Sequence, residues 1–276
     1  MLKDKRLFLF DIDGTLATGD ELYRGSRELL SYIKEIGGEA IYITNNSTKS
    51  LADYVKKFER WDLETQEWQF VTSGFMAIRY LRENFSQKKI FVMGTASFVR
   101  DLREQGIMVT ERIEDDIVCV LVAYDSELNY GKLERACEIL STKDVTYLAT
   151  NPDLCCPAPF GFIPDCGSIC QMIENSTGKK PQYLGKPARD VVDYCRKITG
   201  FSREETLVVG DRLYTDIACG IAAEIDTCVV YTGEATKEDI KHTEFMPTYE
   251  FDNIERLFEA VRQEYNEDRD RKICLF

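Results

Sequence analysis

Two short stretches of the chain carry carboxylates directly behind apolar runs. Leu7 to Phe10 leads into Asp11-Ile12-Asp13-Gly14-Thr15-Leu16, and Leu207 to Val209 leads into Gly210-Asp211-Arg212-Leu213-Tyr214-Thr215-Asp216. Residues two apart in an extended strand share a face. Asp11 and Asp13 therefore approach one another at the strand's C-terminal end, and Ile12 turns away. Two carboxylates held close repel, unless one takes a proton or a cation lies between them. A hard divalent cation with oxygen ligands meets that need, and Mg²⁺ is the usual choice beside phosphate. Gly14 permits a tight turn and a close main-chain approach to an anion. In the second stretch Asp211 is the natural metal ligand, and Asp216, one helical turn on, binds the metal through water or orients Lys186. The plainer readings are an acidic turn capping a helix for the first stretch, and a capped helix with a solvated Asp216 for the second.

Two further stretches offer donors for an anion. Thr44-Asn45-Asn46-Ser47 closes the apolar run Ala40 to Ile43, and its hydroxyls and amides suit phosphate oxygens; alone, it reads better as a helix N-cap. Gly185-Lys186-Pro187 places a lysine at the entrance of a helix whose apolar face includes Val191, Cys195 and Ile198. From there Lys186 reaches a strand-edge crevice and offsets the carboxylate charge; alone, it is an ordinary surface lysine before a proline.

The elements that must hold these groups alternate between short apolar runs and helix-like stretches, the signature of parallel βαβ units. Strands are expected at Leu7 to Phe10, Ala40 to Ile43, Ile90 to Met93, Ile117 to Ala123, Val145 to Ala149, Leu207 to Val209 and Thr227 to Tyr231. Helices are expected at Gly25 to Ile36, Ser47 to Phe58, from a Thr72-Ser73 cap to Asn84, before Gln105-Gly106, at Gly131 to Leu140, Ser168 to Asn175 and Val191 to Ile198. Ligand sites of such open sheets lie at the strands' C-terminal edge. Asn151 to Gly167 breaks the pattern: four of the seven prolines, two glycines and three cysteines fall there without a period. A loop of that length inside a compact region usually serves function. The charged tail from Glu255 reads as a solvated helix end.

Composition narrows the partners. The 276 residues, 44% apolar and 30% charged, suffice for one large domain or two smaller ones. A formal charge of −13 argues against nucleic acid, but not against a small phosphorylated ligand held by one local cation. No apolar run is long enough to span a bilayer and no export signal is legible, so no membrane partner and a cytoplasmic location are expected. The ten cysteines are scattered without a CxxC pair, and His242 is the one histidine. Both facts argue against zinc ligation and histidine-based nucleophile pairs; buried reduced thiols are the reading for the cysteines, and a surface position for His242.

Taken jointly, Asp11-x-Asp13-Gly14-Thr15, Ile43-Thr44-Asn45-Asn46-Ser47, Ala149-Thr150-Asn151-Pro152-Asp153, Gly185-Lys186-Pro187 and Gly210-Asp211-x-x-x-x-Asp216 resemble the motifs of the haloacid dehalogenase-like (HAD) hydrolase superfamily. The resemblance is closer to its NagD and 4-nitrophenylphosphatase-like subfamily, with a class IIA cap, and runs from about Leu7 to Thr232. It implies an α/β fold: a doubly wound, mostly parallel, Rossmann-like core over 1–85 and 181–276, with an inserted α/β cap domain over 86–180. It implies that Asp11 is the nucleophile and forms an aspartyl-phosphate. Asp13 serves as general acid and then as general base. Mg²⁺ is held by Asp11, Asp211 and the Asp13 main-chain carbonyl, with Gly14 and Asp216 in support. Thr44, Asn45 and Asn46 bind phosphoryl oxygens, and Lys186 offsets transition-state charge. In the cap, Asn151, Asp153, Cys156 and Pro157 are the expected lining of a loop that selects the leaving group, with core packing equally open for Cys156.

The expected activity is Mg²⁺-dependent hydrolysis of a small phosphorylated metabolite, of the 4-nitrophenyl phosphate, nucleotide, sugar phosphate or phosphoglycolate type, by a protein capable of forming a homodimer. The competing readings are a phosphoacceptor switch, which uses similar residues in a different chain order, and a catalytically inactive phosphate-binding protein.

Overall fold

The computed structural model describes residues 1–46, 50–158 and 160–273; for 157, 158 and 270–273 it describes the main chain alone. The chain divides into two compact units. One comprises Met1–Ile43, Leu51–Val71 and Arg189–Phe276, the other Thr44–Ser50 and Thr72–Ala188.

The first unit is built on a six-stranded sheet. In chain order its N-terminal part holds β1 (Leu7–Phe10), a small antiparallel flap of β2 (Ala17–Thr18) and β3 (Glu21–Leu22), helix α1 (Ser26–Glu35), β4 (Glu39–Thr44), α2 (Leu51–Glu59) and β5 (Phe70–Thr72). The second unit follows, with α3 (Ser73–Asn84), β6 (Lys89–Met93), α4 (Ala96–Glu104), β7 (Met108–Thr110), β8 (Ile117–Val122), α5 (Tyr130–Thr142), β9 (Thr146–Ala149), β10 (Cys155–Ala158), β11 (Gly161–Pro164), α6 (Cys166–Thr177) and β12 (Gln182–Tyr183). The chain then returns to the first unit with α7 (Arg189–Thr199), β13 (Thr206–Gly210), a π-helical turn Leu213–Ile217, α8 (Ala218–Ala222), β14 (Asp226–Val230), β15 (Tyr249–Phe251) and α9 (Ile254–Ile273).

The strand order of the large sheet is β15-β14-β13-β1-β4-β5. β1 pairs in parallel with β13 on one side and β4 on the other. A central parallel strand is covered on both faces and so reads as a continuous apolar run rather than an alternating one. Leu7, Phe8, Leu9 and Phe10 are all fully buried; each such side chain contributes about 1.5–3 kcal/mol relative to exposure. The chain runs outward from β1 to β4 and β5, then returns to β13 and proceeds the other way. The order therefore reverses between β1 and β13, the topological switch point at which sheets of this kind bind ligands. Tyr42, Phe58 and Phe70 pack ring against ring beneath β4, with centroids 4.4 to 5.1 Å apart.

The second unit carries its own five-stranded sheet, β12-β9-β8-β6-β7, parallel throughout. Side chains alternate between its faces. Cys119 and Leu121 of β8 join Ala77, Leu81, Phe98 and Leu102 of α3 and α4 on one face. Val120 and Val122 join Ala136, Ile139, Ile169 and Ile173 of α5 and α6 on the other. This unit reaches beyond the expected insert of 86–180 at both ends. The apolar stripe of α3 belongs to the second sheet's core, and β12 is that sheet's edge strand.

Two expectations need correction. Asn151 to Gly167 is not irregular: β10 and β11 form an antiparallel hairpin, Cys155 opposite Pro164 and Ala158 opposite Gly161. Prolines are confined to strands whose N–H groups are not needed by a neighbour, and this hairpin forms its own two-stranded sheet, so Pro157 and Pro164 are tolerated. Helix α6 begins at Cys166, two residues before the expected Ser168, because Asp165 caps it, its side chain accepting from Cys166 N at 2.5 Å. The expected helix start at Ser47 falls in 47–49, outside the described residues. Thr72 caps α3 as expected, its Oγ1 accepting from Phe75 N at 3.0 Å, and His242 is exposed. Among the described residues no helix is long and apolar enough to cross a membrane.

Candidate active site

The switch point brings Asp11 and Asp211 together although two hundred positions separate them. Asp11 directly follows β1 and donates its main-chain N–H to Val209 O of β13 (2.9 Å); Asp211 directly follows β13. The main chain between Ile12 and Ala17 then closes a tight turn, with Gly14 N to Ala17 O at 2.8 Å and Leu16 N to Ile12 O at 3.0 Å.

Asp211 is held from several directions. Its Oδ1 accepts from Thr15 Oγ1 at 3.1 Å and its Oδ2 from Glu234 N at 2.8 Å. Gly14 adopts φ +96°, and a Cβ there would stand 2.6 Å from Asp211 Oδ2; one on Gly233 would stand 1.9 Å from the same oxygen. Both glycines are thus demanded by the carboxylate packed against them. Gly14→Ala is expected to displace Asp211 and to lower affinity for a divalent cation, measured by titration calorimetry, about 10- to 100-fold; unchanged affinity would refute the fit.

Asp216 completes the group. It lies in the π-helical turn, fully buried, with its Oδ2 accepting from Arg212 N at 3.0 Å. Asp11, Asp211 and Asp216 each bring a carboxylate oxygen within 4.8 Å of the others. Asp216 therefore stands with the other two carboxylates. Three mostly buried carboxylates at that spacing repel strongly unless a cation neutralises them. An all-oxygen donor set fits a hard divalent ion such as Mg²⁺.

Asp13 is not one of the three. β1 ends at Phe10, so Asp11 and Asp13 both lie beyond the strand, in the turn that follows it. The half-exposed Asp13 carboxylate (39%) instead meets Lys57, whose Nζ lies 3.1 Å from Asp13 Oδ1 and is 3% exposed. The ammonium also sits 5.0 Å from the Trp61 ring centroid. No motif marks Lys57. The one signal in the sequence is its place on the apolar face of α2, between Tyr54, Phe58 and Trp61, where a surface lysine would not fall.

The second unit holds the other expected residues. Thr44, buried, ends β4, and its Oγ1 accepts from Asn46 N at 3.2 Å. Ser73 Oγ donates to Asn45 O at 2.7 Å. The Asn45 side chain faces Asp153 and the main chain of Lys186. Asn151 and Asp153, expected to line a leaving-group loop, are buried (0% and 2% exposed) within a hydrogen-bonded network of this unit. Two neighbouring polar groups in reach of each other satisfy themselves internally when both are removed from water. Cys156 is half-buried in β10 opposite Ile163, and Pro157 pairs with Phe162; the Pro157 side chain lies outside what is described.

The family model for haloacid dehalogenase-like hydrolase matches residues 8–108, and a second, HAD-hydrolase-like, matches residues 183–257. The chain belongs to the haloacid dehalogenase-like hydrolases. It is 30% identical over 254 residues to an acid sugar phosphatase of Staphylococcus aureus, covering 92% of this chain and 96% of that protein. Among solved structures it is similar to a 4-nitrophenylphosphatase of Thermotoga maritima, with 37% identity, a TM-score of 0.87, and 94% and 98% of the two chains covered. It also resembles NagD of E. coli K-12, with 28% identity, a TM-score of 0.80, and 91% and 97% covered. Within the family its place is thus among the NagD and 4-nitrophenylphosphatase-like phosphatases.

Proposed function

We propose that this protein hydrolyses small-molecule phosphate monoesters, with Mg²⁺ as cofactor and an aspartyl-phosphate on Asp11 as intermediate. The observation that carries the reading is the mostly buried trio Asp11, Asp211 and Asp216 at the switch point, with Asp13, two residues after Asp11, paired to Lys57. Asp11 and Asp211, the Asp13 main-chain carbonyl and, directly or through water, Asp216 would hold the cation. When bound, it neutralises these carboxylates and lets a dianionic ester approach them. Asp11 attacks phosphorus; Asp13 gives its proton to the departing oxygen, then takes one from the water that opens the acyl phosphate. Thr44, Asn46 and Lys186 are assigned to the phosphoryl oxygens, where the ammonium offsets charge on the group in transit.

The substrates in view are a nucleotide, a sugar phosphate, a phosphoglycolate-type ester or 4-nitrophenyl phosphate. The test is turnover of 4-nitrophenyl phosphate with Mg²⁺ and with excess chelator, followed by a panel of those esters. Metal-dependent release of inorganic phosphate is expected, falling at least about 100-fold with chelator. A stable phosphoprotein without turnover would instead mark a phosphoacceptor.

A further inference from the structure

The Asn45 side chain grips the main chain of Lys186, and Asp153 and Asn151, far away in the chain, back it within the second unit. Asn45 Nδ2 donates to Lys186 O at 2.9 Å and to Asp153 Oδ2 at 2.7 Å, while Asn45 Oδ1 accepts from Lys186 N at 2.9 Å. The same Asp153 oxygen accepts from Asn151 Nδ2 at 2.9 Å. Asn151 Nδ2 also reaches Asp165 Oδ1 at 3.2 Å, the N-cap of α6, and Asn151 Oδ1 accepts from Thr150 Oγ1 at 2.8 Å. Gly185 N donates to Thr150 O at 2.7 Å. A Cβ on Gly185 would stand 2.5 Å from Asn45 Oδ1 and 2.7 Å from Thr150 O, so the approach requires glycine.

The bookkeeping of donors is decisive for Asn45. A primary amide has two N–H donors and one carbonyl oxygen. Here both hydrogens are directed to Asp153 and Lys186, and the oxygen grips the N–H of Lys186. That side chain has no donor left for a phosphoryl oxygen. Buried networks in which every member is paired hold their groups rigidly.

We infer that Asn45 and Asp153 form a positioning clamp: they fix both main-chain groups of Lys186 and so aim its ammonium, while Asn45 is not itself a ligand of the phosphoryl group. The inference rests on the phosphatase reading for the task of Lys186, and on geometry alone for the clamp. Displacing a charge-stabilising group by about 1 Å costs on the order of 100-fold in rate.

The experiment compares wild type, Asn45→Asp, Asp153→Asn and the double variant. Asn45→Asp sets two carboxylates against each other, whereas Asp153→Asn keeps an acceptor for Asn45. In the double variant the donor lies at 153 and the acceptor at 45, so the 45–153 contact is restored with its polarity reversed and Lys186 N keeps its acceptor, while Lys186 O loses its donor and the clamp is restored in part. With 4-nitrophenyl phosphate, kcat is expected to fall about 100-fold in Asn45→Asp, to fall about fivefold in Asp153→Asn, whose amide is a weaker acceptor than the carboxylate, and to recover about tenfold over Asn45→Asp in the double variant. In parallel, acetic anhydride labelling of the intact proteins, read by mass spectrometry, is expected to show Lys186 protected in wild type, modified several-fold faster in Asn45→Asp, and modified at an intermediate rate in the double variant. Labelling needs no turnover, so an inactive wild type counts against the proposed function while the clamp is still decided. A loss in Asn45→Asp that appears wholly in KM, without rescue, would make Asn45 a substrate ligand and overturn the clamp. Unchanged Lys186 labelling in Asn45→Asp would overturn it as well.

Discussion

Replacing Asp11 with asparagine is expected to lower kcat for 4-nitrophenyl phosphate by at least about 10⁴-fold, without loss of thermal stability in metal-free protein. The amide is nearly the same size and leaves the main-chain bond from residue 11 to Val209 untouched, but it is no nucleophile towards phosphorus. The stability half follows from the trio's geometry. Asp11, Asp211 and Asp216 stand within 4.8 Å of one another, and removing one charge relieves repulsion that folding must otherwise absorb. Steady-state kinetics and a melting curve with chelator present read the two halves separately. Retention of a tenth of the wild-type rate would remove Asp11 from the role of nucleophile.

Asp13→Asn is expected to separate the two half-reactions. For an alkyl phosphate, whose departing oxygen needs a proton, kcat should fall about 10²- to 10⁴-fold. 4-Nitrophenolate leaves without such help, so the first half-reaction survives and the second, which needs a base for water, becomes limiting. A burst of about one equivalent of 4-nitrophenolate per enzyme, then a slow steady state, is the expected trace. Lys57→Met should shift both behaviours in the same direction by about tenfold. Lys57 is buried against the Trp61 ring and 3.1 Å from the Asp13 carboxylate, and methionine fills the apolar part of that space while leaving Asp13 unsteadied. Equal losses for both substrates, with no burst, would assign Asp13 a structural task instead.

What the sequence makes legible is what depends on neighbours in the chain. Leu7 to Phe10 and Leu207 to Val209 announce themselves as buried parallel strands, and the carboxylates behind them can be placed at one sheet edge from that fact alone. The Thr72 cap is equally local. Pairings across the fold are not written in any local pattern. Lys57 looks like half of a Lys-Lys pair on a helix surface until the helix's buried face is known. Asn45 and Asp153 are 108 positions apart, and nothing local to either names the other as its partner. The stripe of α3 is visibly apolar, but nothing in it says which of two sheets it will cover. The β10–β11 hairpin was hidden by its prolines, since a strand free of further neighbours does not need the N–H groups that proline lacks.

The pairing of β1 also bears on how the protein is made. β1 is synthesised before either of its sheet neighbours, and 28 residues separate its end at Phe10 from the start of β4 at Glu39. Its other edge stays bare until Thr206–Gly210 has been synthesised. Until then the newborn chain carries an open, hydrophobic strand edge, the feature that invites aggregation and chaperone attention. The same delay means that a chain cut short before β13 lacks Asp211 and Asp216 altogether, so an incomplete translation product holds the nucleophile but not the acidic cluster that makes it useful.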